Sequence, residues 1–271
     1  MTISAVIIAR NEEGMIANCL DTLRWCDEII VVDHASSDGT PVLSERAGAK
    51  VIEQKKTVSL AELRNVGLVA VQSDWILYID ADERVTPALM KEIKSAVLQS
   101  NVTSFAVRRN NIHYGKWMRN GGWEKDSVVR LFKTSSLKKW SGEIHEHAEV
   151  EGKQSDLWEP LVHLSHRNLL DGLRKSMEWT PIEADLLAKA NHPKMSMLRL
   201  IKVMVMEFIR RFFILKGWKD GFEGGIESMV QAVNRFFVYE QLWERQRIPT
   251  LEQTYDKIEQ EIQSQWKRVS A

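Results

Sequence analysis

Cysteine is nearly absent: the 271 residues contain two, Cys19 and Cys26. They form no Cys-x-x-Cys and no metal spacing. This excludes a disulfide framework and a thiolate zinc site, and the expectation is two reduced core thiols in a cytosolic protein. Charge of neither sign is in excess, with 37 Lys and Arg against 37 Asp and Glu, so nothing points to a general nucleic-acid binder. No charge-free apolar run approaches the ~20 residues that cross a bilayer. Met1-Thr2-Ile3 enters a strand pattern directly, without a basic stretch and a cleavable apolar segment, so a secreted form is not expected. The sequence shows neither an internal repeat nor a low-complexity linker. What is there is an ordinary globular balance, 44% hydrophobic and 27% charged. The chain is long enough for one large domain, or for a domain with an appendage.

The most informative stretch is Trp75-Ile76-Leu77-Tyr78-Ile79, an apolar run that stops at Asp80-Ala81-Asp82-Glu83. Such a run suits a buried parallel strand, and ligands of open α/β sheets gather at the carboxyl ends of such strands. Side-chain alternation in an extended segment sends Asp80 and Asp82 to the same side, where they could share a divalent cation and its phosphates. Upstream, Ile3 to Ala9 reads as a first strand ending at Arg10-Asn11, followed by a helix with Ile16, Leu20 and Leu23 in phase. Glu28 to Asp33 is a second strand ending on an acid, then the turn-rich His34 to Thr40 and a helix closed by Gly48. Lys50 to Glu53 is a short third strand. Ser59-Leu60-Ala61-Glu62 is a capping box opening a helix with Leu60, Leu63, Gly67 and Ala70 on one side. Thr86-Pro87 starts another helix that runs towards Gln99. Strands alternating with helices at this spacing predict βαβ units and a Rossmann-like half over residues 1 to 100.

From Ser104 the pattern changes to strands separated by loops carrying Tyr114, Trp117, Gly121, Gly122 and Trp123, with a hairpin expected at Gly152-Lys153. From about Asn168 it is helical. Between Met195 and Lys216, Leu198, Ile201, Met204, Val205, Phe208, Ile209 and Phe212 share one broad face, opposite Arg199, Lys202, Arg210 and Arg211. A helix of that kind can lie in a membrane interface beside anionic lipid, or pack on a core with its basic side in water. The glycine-rich segment from Gly217 to Gly225 breaks it before a further helix that ends near Trp243.

Four sites converge on strand ends or the adjoining loops: Arg10-Asn11, Asp33, Arg64-Asn65 and Asp80-Ala81-Asp82. No Gly-x-Gly-x-x-Gly follows the first strand and no Walker lysine loop occurs, which disfavours dinucleotide binding and a P-loop ATPase. Val6 to Glu12, Val31 to Thr40, Arg64-Asn65-Val66-Gly67 and Tyr78 to Glu83 resemble, in order, the motifs of family 2 glycosyltransferases with the GT-A fold. Arg130-Leu131-Phe132, Gly142-Glu143-Ile144-His145-Glu146 and Asp220-Gly221-Phe222 resemble the bacterial branch of β-1,4-glucosyltransferases that builds lipopolysaccharide or lipooligosaccharide inner core.

The resemblance implies an α/β, GT-A nucleotide-sugar fold with a mixed acceptor-side sheet and C-terminal amphipathic helices. The catalytic domain would span 1–167, divided into 1–100 and 101–167, and the helical tail 168–271. It further implies that Asp33 meets the uracil or ribose, that Arg10, Asn11 and Arg64 meet the nucleotide or its diphosphate, and that Asp80 faces the ribose. Asp82 would hold Mg²⁺ or Mn²⁺. Glu146 would take the acceptor proton with His145 orienting substrate or base, and Glu143 and Asp126 are rivals for the base. The implied partners are a UDP-sugar, a lipid-linked saccharide and a membrane surface on the cytoplasmic side of the bacterial inner membrane, and no nucleic acid. Transfer to a polyprenyl phosphate, or nucleotide-sugar binding without catalysis, are the alternative readings.

Overall fold

The computed structural model describes residues 1–54, 59–142 and 146–269. The chain divides into two compact units, Met1–Leu169 and Leu170–Ala271.

In the first unit, β1 (Ile3–Ala9), α1 (Ile16–Asp21), β2 (Glu28–Asp33), α2 (Thr40–Arg46), β3 (Lys50–Glu53), α3 (Leu60–Ala70) and β4 (Trp75–Asp80) alternate regularly. β1 lies between β2 and β4, all parallel, with β3 outside β2. Ile3, Ala5, Ile7 and Ala9 join the core under α1, whereas Val6 faces the core that includes Ala61 and Leu63 of α3. With both faces covered, the strands are apolar throughout rather than alternating. α3 carries the expected capping box: Glu62 N–H donates to Ser59 Oγ at 3.2 Å, and Ser59 N–H to Glu62 Oε2 at 2.8 Å. The face of α3 differs from expectation at Leu60, which is exposed, while Ala61, Leu63, Arg64 and Gly67 are buried.

Gly67 is there because α3 crosses β1 closely: a Cβ at this position would lie 2.5 Å from Val6 Cγ1. Gly67→Ala gains up to ~1 kcal/mol of helix propensity but overpacks a rigid central strand at a cost of about 1–3 kcal/mol. The expected outcome is a net loss of about 1 kcal/mol in a denaturant titration.

β5 (Glu83–Arg84) and α4 (Pro87–Ala96) follow; Thr86 caps α4, which stops three residues short of Gln99. The remaining strands are β6 (Ser104–His113), β7 (Lys116–Trp117), β8 (Ser127–Lys133), β9 (Leu137–Ser141), β10 (His147–Val150) and β11 (Gln154–His163). The main sheet runs β3-β2-β1-β4-β8-β6-β11-β5, with β8 antiparallel to both β4 and β6. No hairpin forms at Gly152-Lys153. β10 pairs with β9 in a separate two-stranded sheet, and β11 joins β6 in parallel. Strand propensity signals the strands but not their partners, which long-range packing chooses. Cys19 is buried and Cys26 half-buried, both free. Burial pushes both thiols up to about 12, so neither is a ready nucleophile.

The second unit is helical: α5 (Leu169–Lys189), α6 (Met197–Ile209), α7 (Gly221–Arg245) and α8 (Leu251–Val269). A π-helical turn, Arg210–Ile214, extends α6, and a 3-10 turn, Gly217–Asp220, leads into α7. The break is thus shorter than the glycine run suggests, since Gly221, Gly224 and Gly225 belong to α7. A Cβ on Gly224 would sit 2.1 Å from the Gly217 carbonyl oxygen, so that glycine lets the helix return against the turn. The single broad face expected on α6 is in fact two. Met204, Phe208 and Phe212 are half-buried, whereas Leu198, Ile201, Val205 and Ile209 are exposed. No described helix is long and apolar enough to cross a membrane.

Candidate active site

The parallel register sets Asp33 beside Ala9 and Asp80 beside Ile8, so the ends of β2, β1 and β4 present Asp33, Arg10 and Asp80 in adjacent positions. Asp33 is buried; its Oδ2 accepts from Ser36 N–H at 3.0 Å, while Oδ1 has no hydrogen-bond partner among the described residues. An unsatisfied buried carboxylate oxygen is costly and calls for a donor. Arg10 is exposed. Asn11, with φ of 55°, ties the end of β1 to the loop after β2: it donates through its backbone N–H to Ser36 Oγ and accepts from Ser37 N–H at 2.8 Å.

Asp80 and Asp82 have different side-chain partners. The strand ends at Asp80 and the chain turns at Ala81, so the alternation that would align the two carboxylates is lost. Asp80 Oδ2 is in close contact with Arg130 Nη2, and Oδ1 is 3.5 Å from Arg64 Nη2. Burial pushes this carboxyl up, but Arg130 and then Arg64 outweigh it and hold it at about 2. Arg130, opposite the end of β4 because Leu77 pairs with Leu131, also bonds the fully buried Glu83 at 2.7 Å. Burial raises Glu83 despite Arg130, and Asp80 adds to the rise.

Asp82 has a different partner. His163, at the end of β11, places Nε2 3.5 Å from Asp82 Oδ2 and Nδ1 2.6 Å from Asn111 Oδ1. The Asn111 amide is oriented by Asp126, which accepts from its Nδ2 at 2.9 Å. Since an ionised carboxylate only accepts, Asn111 Oδ1 faces His163 and accepts from its Nδ1–H, which turns Nε2 towards Asp82. One carboxylate oxygen and one imidazole nitrogen at this separation are a donor set for a hard divalent cation, with Asn111 and Asp126 supporting the imidazole.

Asp126 itself is clamped. Arg109 meets it with two bonds of 2.9 Å, and although burial raises its carboxyl, Arg109 and Asn111 hold it below the ordinary range. That makes it a poor proton acceptor. Glu146 lines a cavity of about 400 Å³ together with Arg64, Asp80, Arg109, Arg130 and Trp140. Arg64 is packed between Tyr78 and Trp140, its guanidinium carbon 5.5 and 4.8 Å from their ring centres, and it bonds Glu146 through Nε and Nη2 at 3.2 and 3.1 Å. Both bonds fall on Oε1. Asn65 locks β9 to α3 by exchanging two bonds with the Trp140 backbone. His145 and Glu143 lie outside the described residues.

The structure therefore gathers Arg64, Asp80 and Glu146 around one cavity and sets Asp82 apart with His163. Glu83, Arg109, Asn111 and His163 carried no sequence reading of their own. Glu83 and Arg130 stood inside quoted motifs, whereas nothing local marks His163.

Comparison with known proteins gives the family and the fold. A family model described as glycosyl transferase family 2 matches residues 4–147. The lipopolysaccharide core biosynthesis glycosyltransferase LpsC of Rhizobium meliloti is 26% identical over 253 residues, covering 90% of this chain and 93% of that protein. An uncharacterized glycosyltransferase of Rickettsia felis is 28% identical over 247 residues, 86% of this chain and 87% of its own. Among solved structures, the mannosyltransferase PcManGT of Pyrobaculum calidifontis, in complex with GDP-Man and Mn²⁺, aligns with a TM-score of 0.51. It covers 88% of this chain and 72% of that one, at 14% identity, a likeness of fold.

Proposed function

The chain belongs to glycosyl transferase family 2 and has the GT-A fold, and from that premise we propose that it transfers a hexose, glucose in the first instance, from a UDP-sugar to a lipid-linked core saccharide with inversion. LpsC, named for lipopolysaccharide core biosynthesis, supports the acceptor class. The observation that carries the donor reading is the buried Asp33 Oδ1, without a hydrogen-bond partner among the described residues, beside the ends of β1 and β4. It fits an N–H or O–H donor such as uracil or ribose presents.

Each residue has a task that follows from its position. Arg64, whose Nε and Nη2 meet Glu146 and Asp80, turns Nη1 towards the diphosphate. Asp80 keeps Arg64 and Arg130 in place at the cavity wall and borders the nucleotide. Asp82 Oδ2 and His163 Nε2 would hold Mg²⁺ or Mn²⁺, which when bound neutralises charge developing on the departing UDP. As the acceptor oxygen bonds C1 from the face opposite the UDP, the C1–O bond to UDP breaks with its electron pair. The hydroxyl proton passes to Glu146, whose Oε2 is not engaged by Arg64. The encounter takes place at the cytoplasmic face of the inner membrane.

The testing experiment is a release assay with UDP-, GDP- and TDP-sugars, divalent metal and core saccharide acceptors. Metal-dependent UDP release is expected; no turnover with any of these donors would sink the reading. Asp82→Asn and Asp80→Asn should behave differently. Asp82→Asn weakens Mn²⁺ affinity, measured by titration calorimetry, by at least the 10–100-fold typical of lost support around a metal. Asp80→Asn leaves Mn²⁺ affinity in place and lowers UDP affinity at saturating metal.

A further inference from the structure

Outside the active site, the outer side of α6 carries an exposed apolar surface that the mechanism does not use. Leu198, Ile201, Val205, Ile209 and Phe213 recur at helical spacing and all are exposed, Leu198 at 82% and Phe213 at 58%. The π-helical turn keeps Phe213 in line with Ile209, so the stripe continues past the end of the regular helix. Trp218 in the 3-10 turn and Phe222 at the start of α7, the latter 81% exposed, follow. The other side of α6 is already occupied by its packing on α7, so this stripe is additional to what the fold needs. An apolar cavity of about 210 Å³, lined by Met195, Met197, Leu200, Phe236, Tyr239 and Trp243, adds to the apolar surface at the amino-terminal end of the stripe.

The charge around the stripe identifies the occupant. In a chain of net charge zero, residues 194 to 222 hold seven Lys and Arg against two acids. Of these acids, Glu207 is engaged by Arg210 at 2.8 Å and Arg211 at 2.6 Å, and Asp220 is buried. Lys194, Arg199, Lys202, Lys216 and Lys219 remain exposed around the apolar residues. An isologous contact with a second copy would oppose two positive surfaces. A bilayer carrying acidic headgroups instead takes the apolar stripe into its acyl boundary while the lysine and arginine stems reach to the phosphates. We propose that the outer face of α6, continued by Phe213, Trp218 and Phe222, is an in-plane docking surface for anionic lipid bilayers. This deepens the proposed encounter with a lipid-linked acceptor, yet it is tested by lipid binding rather than by turnover, so either reading can fail without the other.

The full-length chain is floated with vesicles of phosphatidylcholine alone or mixed in equal parts with phosphatidylglycerol, at low and high salt. Flotation with the mixed vesicles only, weakened by salt, is expected. Removing basic residues should cost about fivefold in partitioning for each, so Arg199→Gln with Lys202→Gln should lose roughly 25-fold. Leu198→Ser with Phe213→Ser should abolish flotation. All four positions are exposed, and circular dichroism with UDP affinity controls for folding. Equal binding to both vesicle types, no binding to either, or self-association in sedimentation that the Leu198→Ser, Phe213→Ser variant removes would each overturn the proposal.

Discussion

Glu146→Gln should lower the rate of sugar transfer by about 10²–10⁴ and leave UDP affinity unchanged. The amide retains the shape of the carboxylate and an oxygen to accept from Arg64, which now meets Glu146 Oε1 at 3.1 and 3.2 Å. What it loses is the capacity to take a proton from the acceptor hydroxyl. Initial rates of UDP release with acceptor present, set beside a UDP titration, separate the two effects. An unchanged rate would remove Glu146 as the base. Asp126 would not be its replacement, because Arg109 and Asn111 already stabilise its charged form. The comparison also bears on the non-catalytic alternative, since a binding module has no turnover to lose.

Arg130→Met should destabilise the first unit by about 3–5 kcal/mol, the usual cost of removing one partner from a buried ionic cluster. Arg130 is buried and bridges Asp80 to Glu83, and Glu83 is inaccessible to solvent. Without it, Glu83 keeps only Arg109, at 3.6 Å, as a cationic partner among the described ion pairs. The deficit should depend on pH in a definite sense. Burial already raises the Glu83 carboxyl in the folded chain, and losing Arg130 raises it further. The folded variant then binds a proton more readily than the unfolded one, so its stability improves as pH falls. Asp80 behaves oppositely in the unsubstituted chain. Held at about 2, it contributes stability above the unfolded value of about 3.9 that is lost as pH falls towards 2. Urea titrations at neutral pH and near pH 5 should show a smaller gap between variant and parent at the lower pH. A gap of the same size would mean that Glu83 is neutral in both.

The alternation of strands and helices through Asp80 was legible because each element carries a local signature: continuous apolar runs for strands covered on both faces, Ser59 with Glu62 for one helix start, and Thr86-Pro87 for another. Asp33 and Asp80 were legible as strand-end acids for the same reason, as they close those runs. Where the pattern depended on partners, it misled. The turn at Gly152-Lys153 has hairpin composition, yet β10 and β11 are drawn to different sheets. The apolar positions of α6 read as one face because hydrophobicity does not distinguish a residue packed on α7 from one left in solvent.

By itself, then, the sequence determined the order of the elements and the acids that end the strands, which follow from local pattern, and their alternation implied the parallel half-sheet. Only the tertiary structure decided that Asp80 belongs to Arg130 and Arg64 while Asp82 belongs to His163, and that Asp126 is tied to Arg109. Such pairings join distant residues, and the bond between Arg64 and Glu146 spans 82 positions. They exist because β8 inserts antiparallel between β4 and β6, and β11 runs alongside β6. A buried charge must find its counter-charge wherever the register of the sheet delivers one, and no local spacing encodes that register.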